Sequence, residues 1–293
     1  MAALQHPSQN GRLPSGLILV ANLLPVVGLI LFGWRAAEIL VIYWIEVVIM
    51  VVGYSIAALF AERSIELDDR RFYIVGFSKR TELDADRWSG EPEALGVLND
   101  VLPASLAALL PPMYRRNVPV VGKSLGVVAF LAMGWFYIAD VVSTPIAALT
   151  SPTVVVVSLA MCVSQAAELR REFFVTRRYE EWSPYMVLEA AQRVVFFYLV
   201  LAMIAIPLAF VGLVVLAAGI EPFVPSAATV GSFQPAEGIG RNDWLVLAYV
   251  LTFSAGKTVV DWSRHVGSET TAPKGIAGWL MPEDPRPEWQ RRE

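Results

Sequence analysis

The chain has 293 residues, 56% of them hydrophobic and only 17% charged, with a mean hydropathy of +0.54. A soluble domain carries about 25% charged residues, so this composition excludes an ordinary soluble fold and directs attention to apolar runs. The net charge of -4 and the pI near 5.4 exclude a nucleic-acid surface, which needs clustered basic charge. A single cysteine, Cys162, leaves neither a disulfide framework nor a zinc-ligand spacing.

Crossing a hydrocarbon core of about 30 Å takes roughly 20 helical residues. Six segments qualify, which predicts an all-α membrane protein built as a six-transmembrane helical bundle. The first covers about 15–34 and holds Asn22 and Pro25. Its apolar run continues without a small-x-small cleavage site, so it reads as a retained helix and not a signal peptide. The second covers about 36–61, and only Gly33, Trp34 and Arg35 separate the two, as in a tight helical hairpin. The loop 62–118 mixes ten acidic and eight basic residues with Gly and Pro, which fits either a small folded insertion or an extended segment. Within it, 94–110 is apolar but broken by Asn99, Asp100 and Pro103; an interfacial helix is expected there, with a re-entrant segment as the alternative. The third span is about 119–141 and the fourth about 152–169. The fifth, about 185–218, is too long to cross upright and is expected to tilt, or to bend near Pro207. The sixth is about 244–265. Trp34, Trp44, Trp135, Tyr137, Trp182, Tyr185, Trp244 and Trp262 fall mostly near span ends, as an aromatic belt does.

Basic residues set the orientation. With the N-terminus inside, 18 of the 23 Lys and Arg lie in cytoplasmic segments and two, Arg35 and Arg241, in external ones. The remaining three, Lys123, Arg193 and Lys257, lie within spans. The positive-inside rule therefore predicts N-in/C-in topology in the plasma membrane.

Ionisable groups at membrane depth cost about 2.5–3.5 kcal/mol each and normally face a partner or a wet cavity. The predicted topology places Glu168, Glu189, Arg193, Lys257, Asp261 and His265 in the cytoplasmic half, with Lys123 near the same face and Glu46 near mid-depth. Glu189–Arg193 and Lys257–Asp261 are spaced one turn apart, so each can meet on a helix face. A polar cluster between the fourth, fifth and sixth helices is expected, with Glu46 reaching it from above. It serves either as ion pairs that specify packing or as a site for a proton, an ion or a polar ligand. Glu46 has no charged neighbour on its own helix except Glu38; buried alone it would hold its proton, since desolvation penalises the charged form, which suits a proton relay, and a hydrogen bond to Tyr43 or Asn22 explains it equally well.

No motif specifies a reaction. GxSxG and HExxH are absent, and Gly238 and Gly240 in EGIGRND form no phosphate loop. A metal held by His265, Asp261 and Glu168 has no ligand spacing behind it, and no cofactor is expected. The expected partners are the lipid bilayer and a cytoplasmic protein at 62–118, with no nucleic acid. The favoured function is a small transporter or ion-coupled carrier; the alternatives are a membrane scaffold and a membrane-embedded enzyme acting on lipid.

Several stretches carry a resemblance. SQAAELRREFF, SPYMVLEAAQRVVFFYLV and KTVVDWSRHVGSE, with the opening NLLPVVGLILFGW and YWIEVVI, resemble an uncharacterised prokaryotic membrane family, domain-of-unknown-function family 6498, well represented in halophilic archaea. Residues 62–150 show no match to it. The resemblance implies a helical membrane fold, with Glu46, Arg193, Lys257, Asp261 and His265 on matching positions. It also implies histidines where this sequence has Gln165 and Phe196 or Phe197, and it supplies no activity.

Overall fold

The computed structural model describes residues 22–23, 25–28, 34–67, 70–74, 76–78, 93–95, 110–126, 129, 148–208, 211–212, 243–269 and 274–285. Most of these are helical. The principal helices are α1 (Ala36–Leu59), α2 (Pro152–Leu169), α3 (Pro184–Val200), α4 (Asp243–Glu269) and the short α5 (Gly275–Leu280). A π-helical segment, Arg170–Val175, prolongs α2, and another, Leu201–Ala205, prolongs α3.

Three helical stretches are long and apolar enough to cross a membrane: Glu38–Leu59, Pro152–Val175 and Pro184–Leu208, of 22, 24 and 25 residues. At about 1.5 Å per residue each exceeds the roughly 30 Å of a hydrocarbon core, the length and apolarity that a membrane protein requires. The α2 span is longer than the sequence suggests, because helical winding continues through Arg170 and Arg171 to Val175. The expected first and third spans, 15–34 and 119–141, lie mostly outside the described residues.

Local sequence explains the helix ends. Ser-Pro opens both α2 and α3, with proline at the first helical position, where its missing N–H costs nothing. At α3 the Ser183 hydroxyl accepts from the Met186 N–H at 3.3 Å, an N-terminal cap. Pro207 cannot donate into the helix, and the backbone before it is already wound wide over Leu201–Ala205. The irregularity expected near Pro207 is thus a π segment one turn earlier.

α1 is the hub. Its Ala57, Ala58, Phe60 and Ala61 pack with Tyr185, Val187 and Leu188 at the start of α3, whereas Ile39 and Tyr43 pack with Ala202 and Ile206 beyond its end. The two helices are therefore antiparallel. Val41 meets Val154 near the start of α2, and Gly53 approaches Leu169 at its end, so α1 and α2 run parallel. Val250 and Phe253 lie with Ile39 and Tyr43, and Val260 with Met50 and Val51, so α4 also runs parallel to α1.

The loop after α1 folds back on this bundle. Ile74 and Phe77 are buried in the same core as the end of α1, and the Ile74 N–H donates to the Tyr185 hydroxyl at 2.9 Å. Tyr185 is fully buried, so it is a loop anchor and not a member of an interfacial belt; Trp34 and Trp262 are about half exposed, as belt residues would be. The predicted helix over 94–110 does not begin as one: Ala94–Leu95 pairs antiparallel with Met113–Tyr114, and 96–109 lies outside the described residues.

Asn117, fully buried, closes the open end of α1. Its side-chain amide donates to the carbonyls of Ala58, Leu59 and Ala61 at 2.9, 3.1 and 2.8 Å. These are carbonyls that a helix C-terminus leaves unpaired. Asn117→Ala leaves the Ala58 carbonyl its Ala61 N–H at 3.4 Å but takes the amide from Leu59 and Ala61, and a loss of about 1–3 kcal/mol is expected, read as a lower thermal midpoint of the purified protein.

Candidate functional site

The charged residues singled out in the sequence fall into two groups, not one. The first is built around Glu189. The Ser183-Pro184 start places Glu189 and Arg193 one turn apart on the inner face of α3, and the pair forms. Glu189 Oε1 accepts from Arg193 Nε at 2.8 Å and from the Glu283 N–H at 3.2 Å. Oε2 accepts from Arg70 Nη1 at 2.8 Å. Arg70 also donates to the Glu66 carbonyl at 2.7 Å and the Glu283 carbonyl at 3.0 Å, and lies 4.5 Å above the Tyr185 ring. Arg193 lies between the rings of Phe72 and Trp279, at 4.8 and 5.8 Å, and donates to the Trp279 carbonyl. Glu283 closes the set, 3.8 Å from Arg193 and accepting from the Arg71 N–H at 2.8 Å.

Two acids meet two bases here, and the side chains of Arg70 and Glu189 are 0% exposed. Aromatic faces cover both guanidinium groups. Such a closed, charge-matched set holds a fold together: it joins the loop, α3 and the segment after α5. A second ion pair, Arg63 to Asp284 at 3.1 Å, reinforces that junction.

The second group sits between α1 and α4. The Lys257 ammonium is paired with Glu46 and lies 3.2 Å from Asp261. Asn22, from the N-terminal helix, donates to Asp261 Oδ2 at 3.0 Å. Beside it, Tyr43 and Ser254 share a 2.6 Å hydrogen bond. Gly256 brings α4 close: a Cβ there would stand 2.3 Å from Leu201 of the π segment. Here two carboxylates share one ammonium, and all three remain partly exposed, at 16% for Glu46, 19% for Lys257 and 31% for Asp261.

Glu46 is therefore not alone. Its partner is Lys257, whereas Tyr43 and Asn22 turn to Ser254 and Asp261. Glu168 joins neither group; it lies on α2 at the edge of a groove against α1. His265 lies half-buried one turn past Asp261 on α4. Lys123 stands 4.5 Å over the Phe77 ring, away from both groups. Among the described residues no set of three His, Cys, Asp or Glu side chains could hold a metal ion.

Sequence reasoning missed Arg70 and Glu283, the partners that complete the first group. Both lie outside the apolar spans, in stretches without periodicity, and meet Glu189 across 119 and 94 residues of chain. The one signal was stoichiometric: a buried acid beside an arginine still has lone pairs to satisfy.

No curated protein matches the chain, and no solved structure does. The resemblance seen at the two ends of the sequence is real and reaches further, spanning the 62–150 stretch that shows no match by eye. The chain matches the Family of unknown function (DUF6498) over residues 4–275 and belongs to that family.

Proposed function

We propose that the chain is a six-span, multi-pass protein of the plasma membrane with both ends in the cytoplasm, acting as a small proton- or cation-coupled carrier. The helix directions support the topology: α1, α2 and α4, read as spans two, four and six, run one way, and α3, read as span five, runs the other. The carrier reading rests on one observation, the partly exposed Glu46–Lys257–Asp261 group with its surplus of one negative charge. At membrane depth a surplus charge demands a counter-ion, and a site that two carboxylates and one ammonium share can gain and lose a cation as its surroundings change. The Glu189 group has no such surplus, and its central Arg70–Glu189 pair is 0% exposed, so it carries the fold and not the transport.

Proteoliposomes holding a pH-sensitive dye test this under an imposed membrane potential. The intact protein is expected to pass protons or cations, and Glu46→Gln to reduce the flux by about 100-fold or more, the usual scale for loss of a proton-transfer group. Flux that is the same in the intact protein, Glu46→Gln and Lys257→Met would refute the carrier.

A further inference from the structure

Away from both charged groups, the contact of α1 with α2 leaves a half-open groove of about 850 Å³. Its walls are apolar, with Val48, Val52 and Ile56 from α1 facing Leu169, Phe174 and Val175 from α2 and its π extension. Two charged side chains line it as well, Glu168 and Arg170. Among the described residues neither has a hydrogen bond or an ion pair. Arg264 of α4 acts on Glu168 electrostatically but makes no ion pair with it within 4 Å; its guanidinium lies 5.8 Å from the Tyr54 ring centre and 3.0 Å from the Met50 sulfur. A carboxylate set in an apolar wall with no hydrogen-bonded cation among the described residues is a costly arrangement that a bound cationic group relieves.

Both walls belong to helices able to span a membrane, and the neighbouring face of α2 exposes Val155, Val156, Leu159 and Val163. An apolar ligand therefore reaches the groove from the bilayer. Both charges lie at the end of the Pro152–Val175 span, where Arg170, Arg171, Arg177 and Arg178 gather as they would at headgroup level. An acid and a base at the head of an apolar groove match a zwitterion carried on an acyl chain.

We propose that this groove binds an amine-bearing phospholipid, with an acyl chain along Val48–Ile56, the ammonium at Glu168 and the phosphate at Arg170. A primary ammonium offers three hydrogen-bond donors to the carboxylate, whereas a trimethylammonium head offers none. An anionic lipid would suit the arginines but would bring its surplus charge against Glu168, which selects against it.

Native mass spectrometry of the full chain, delipidated and then exposed to vesicles of equimolar phosphatidylethanolamine, phosphatidylcholine and phosphatidylglycerol, tests this. The intact protein is expected to retain phosphatidylethanolamine about tenfold over either competitor, the lower end of the scale of one charge-assisted hydrogen bond. Glu168→Gln should erase the preference while total lipid stays bound, and Arg170→Gln, at an exposed position, should lower retention of all three. Equal retention of the three lipids by the intact protein overturns the proposal. So does a preference that survives Glu168→Gln, or lipid retention unchanged in Arg170→Gln.

Discussion

Glu189→Ala is expected to lower the stability of the purified protein by about 3–5 kcal/mol, the cost of removing one partner from a buried ionic set. Among the described residues, Glu189 is the only side chain that both Arg70 and Arg193 contact as a carboxylate at hydrogen-bond distance, and it also receives the Glu283 N–H. Without it, Arg70 remains fully buried with only backbone carbonyls, among the described residues, to receive its charge. Arg70→Met should cost less, because Glu189 keeps Arg193 and the Glu283 N–H while the methionine fills the space over Tyr185. Arg171→Ala, on a side chain 61% exposed, should change stability by no more than about 0.5 kcal/mol. Thermal midpoints in detergent rank the three. The order Glu189→Ala, then Arg70→Met, then Arg171→Ala follows from the geometry, and an Arg70→Met loss equal to that of Glu189→Ala would place the weight on Arg70 instead. Limited proteolysis gives a second reading, since loop 62–74 is held to α3 through this set and should be cut faster in Glu189→Ala.

The difference between what was legible in the sequence and what was not follows the range of the interactions. Spans announce themselves by length and apolarity, so α1 and the start of α2 and α3 are readable from the chain within a residue or two. Pairs one turn apart are also local, and Glu189–Arg193 and Lys257–Asp261 both meet as helical geometry requires. The partition into two groups was not readable, because it depends on which helix each pair faces. α3 turns Glu189 toward the loop and the segment after α5, whereas α4 turns Lys257 toward α1. Nothing periodic marks Arg70 in its mixed-charge loop, and Ala94–Leu95 reads as the start of an apolar helix until Met113–Tyr114 is seen to pair with it. Tyr185 likewise carries the composition of a belt residue but the burial of a core one.

Lys257→Met removes the only cation that the Glu46–Asp261 pair contacts among the described residues. Two carboxylates then face each other without their cation; at the membrane depth proposed for α4, with about 2.5–3.5 kcal/mol per unmet charge, the variant should fall in stability by about that amount, one acid taking up a proton to spare the other. Adding Glu46→Gln should recover part of the loss. Asp261 then stands alone with its Asn22 hydrogen bond, and a neutral amide lies beside it in place of a second acid. The double variant is therefore expected to be more stable than Lys257→Met by about 0.5–3 kcal/mol, the usual range of coupling between touching residues. Strictly additive losses would show that Glu46 and Lys257 do not depend on each other. The same pair of variants separates packing from transport. A group that only fixes helix contacts should regain flux whenever it regains stability. A cation site should not, because Glu46→Gln with Lys257→Met keeps the net charge of minus one on Asp261 but dismantles the site in which two carboxylates share one ammonium, so the double variant should stand in the membrane and carry nothing.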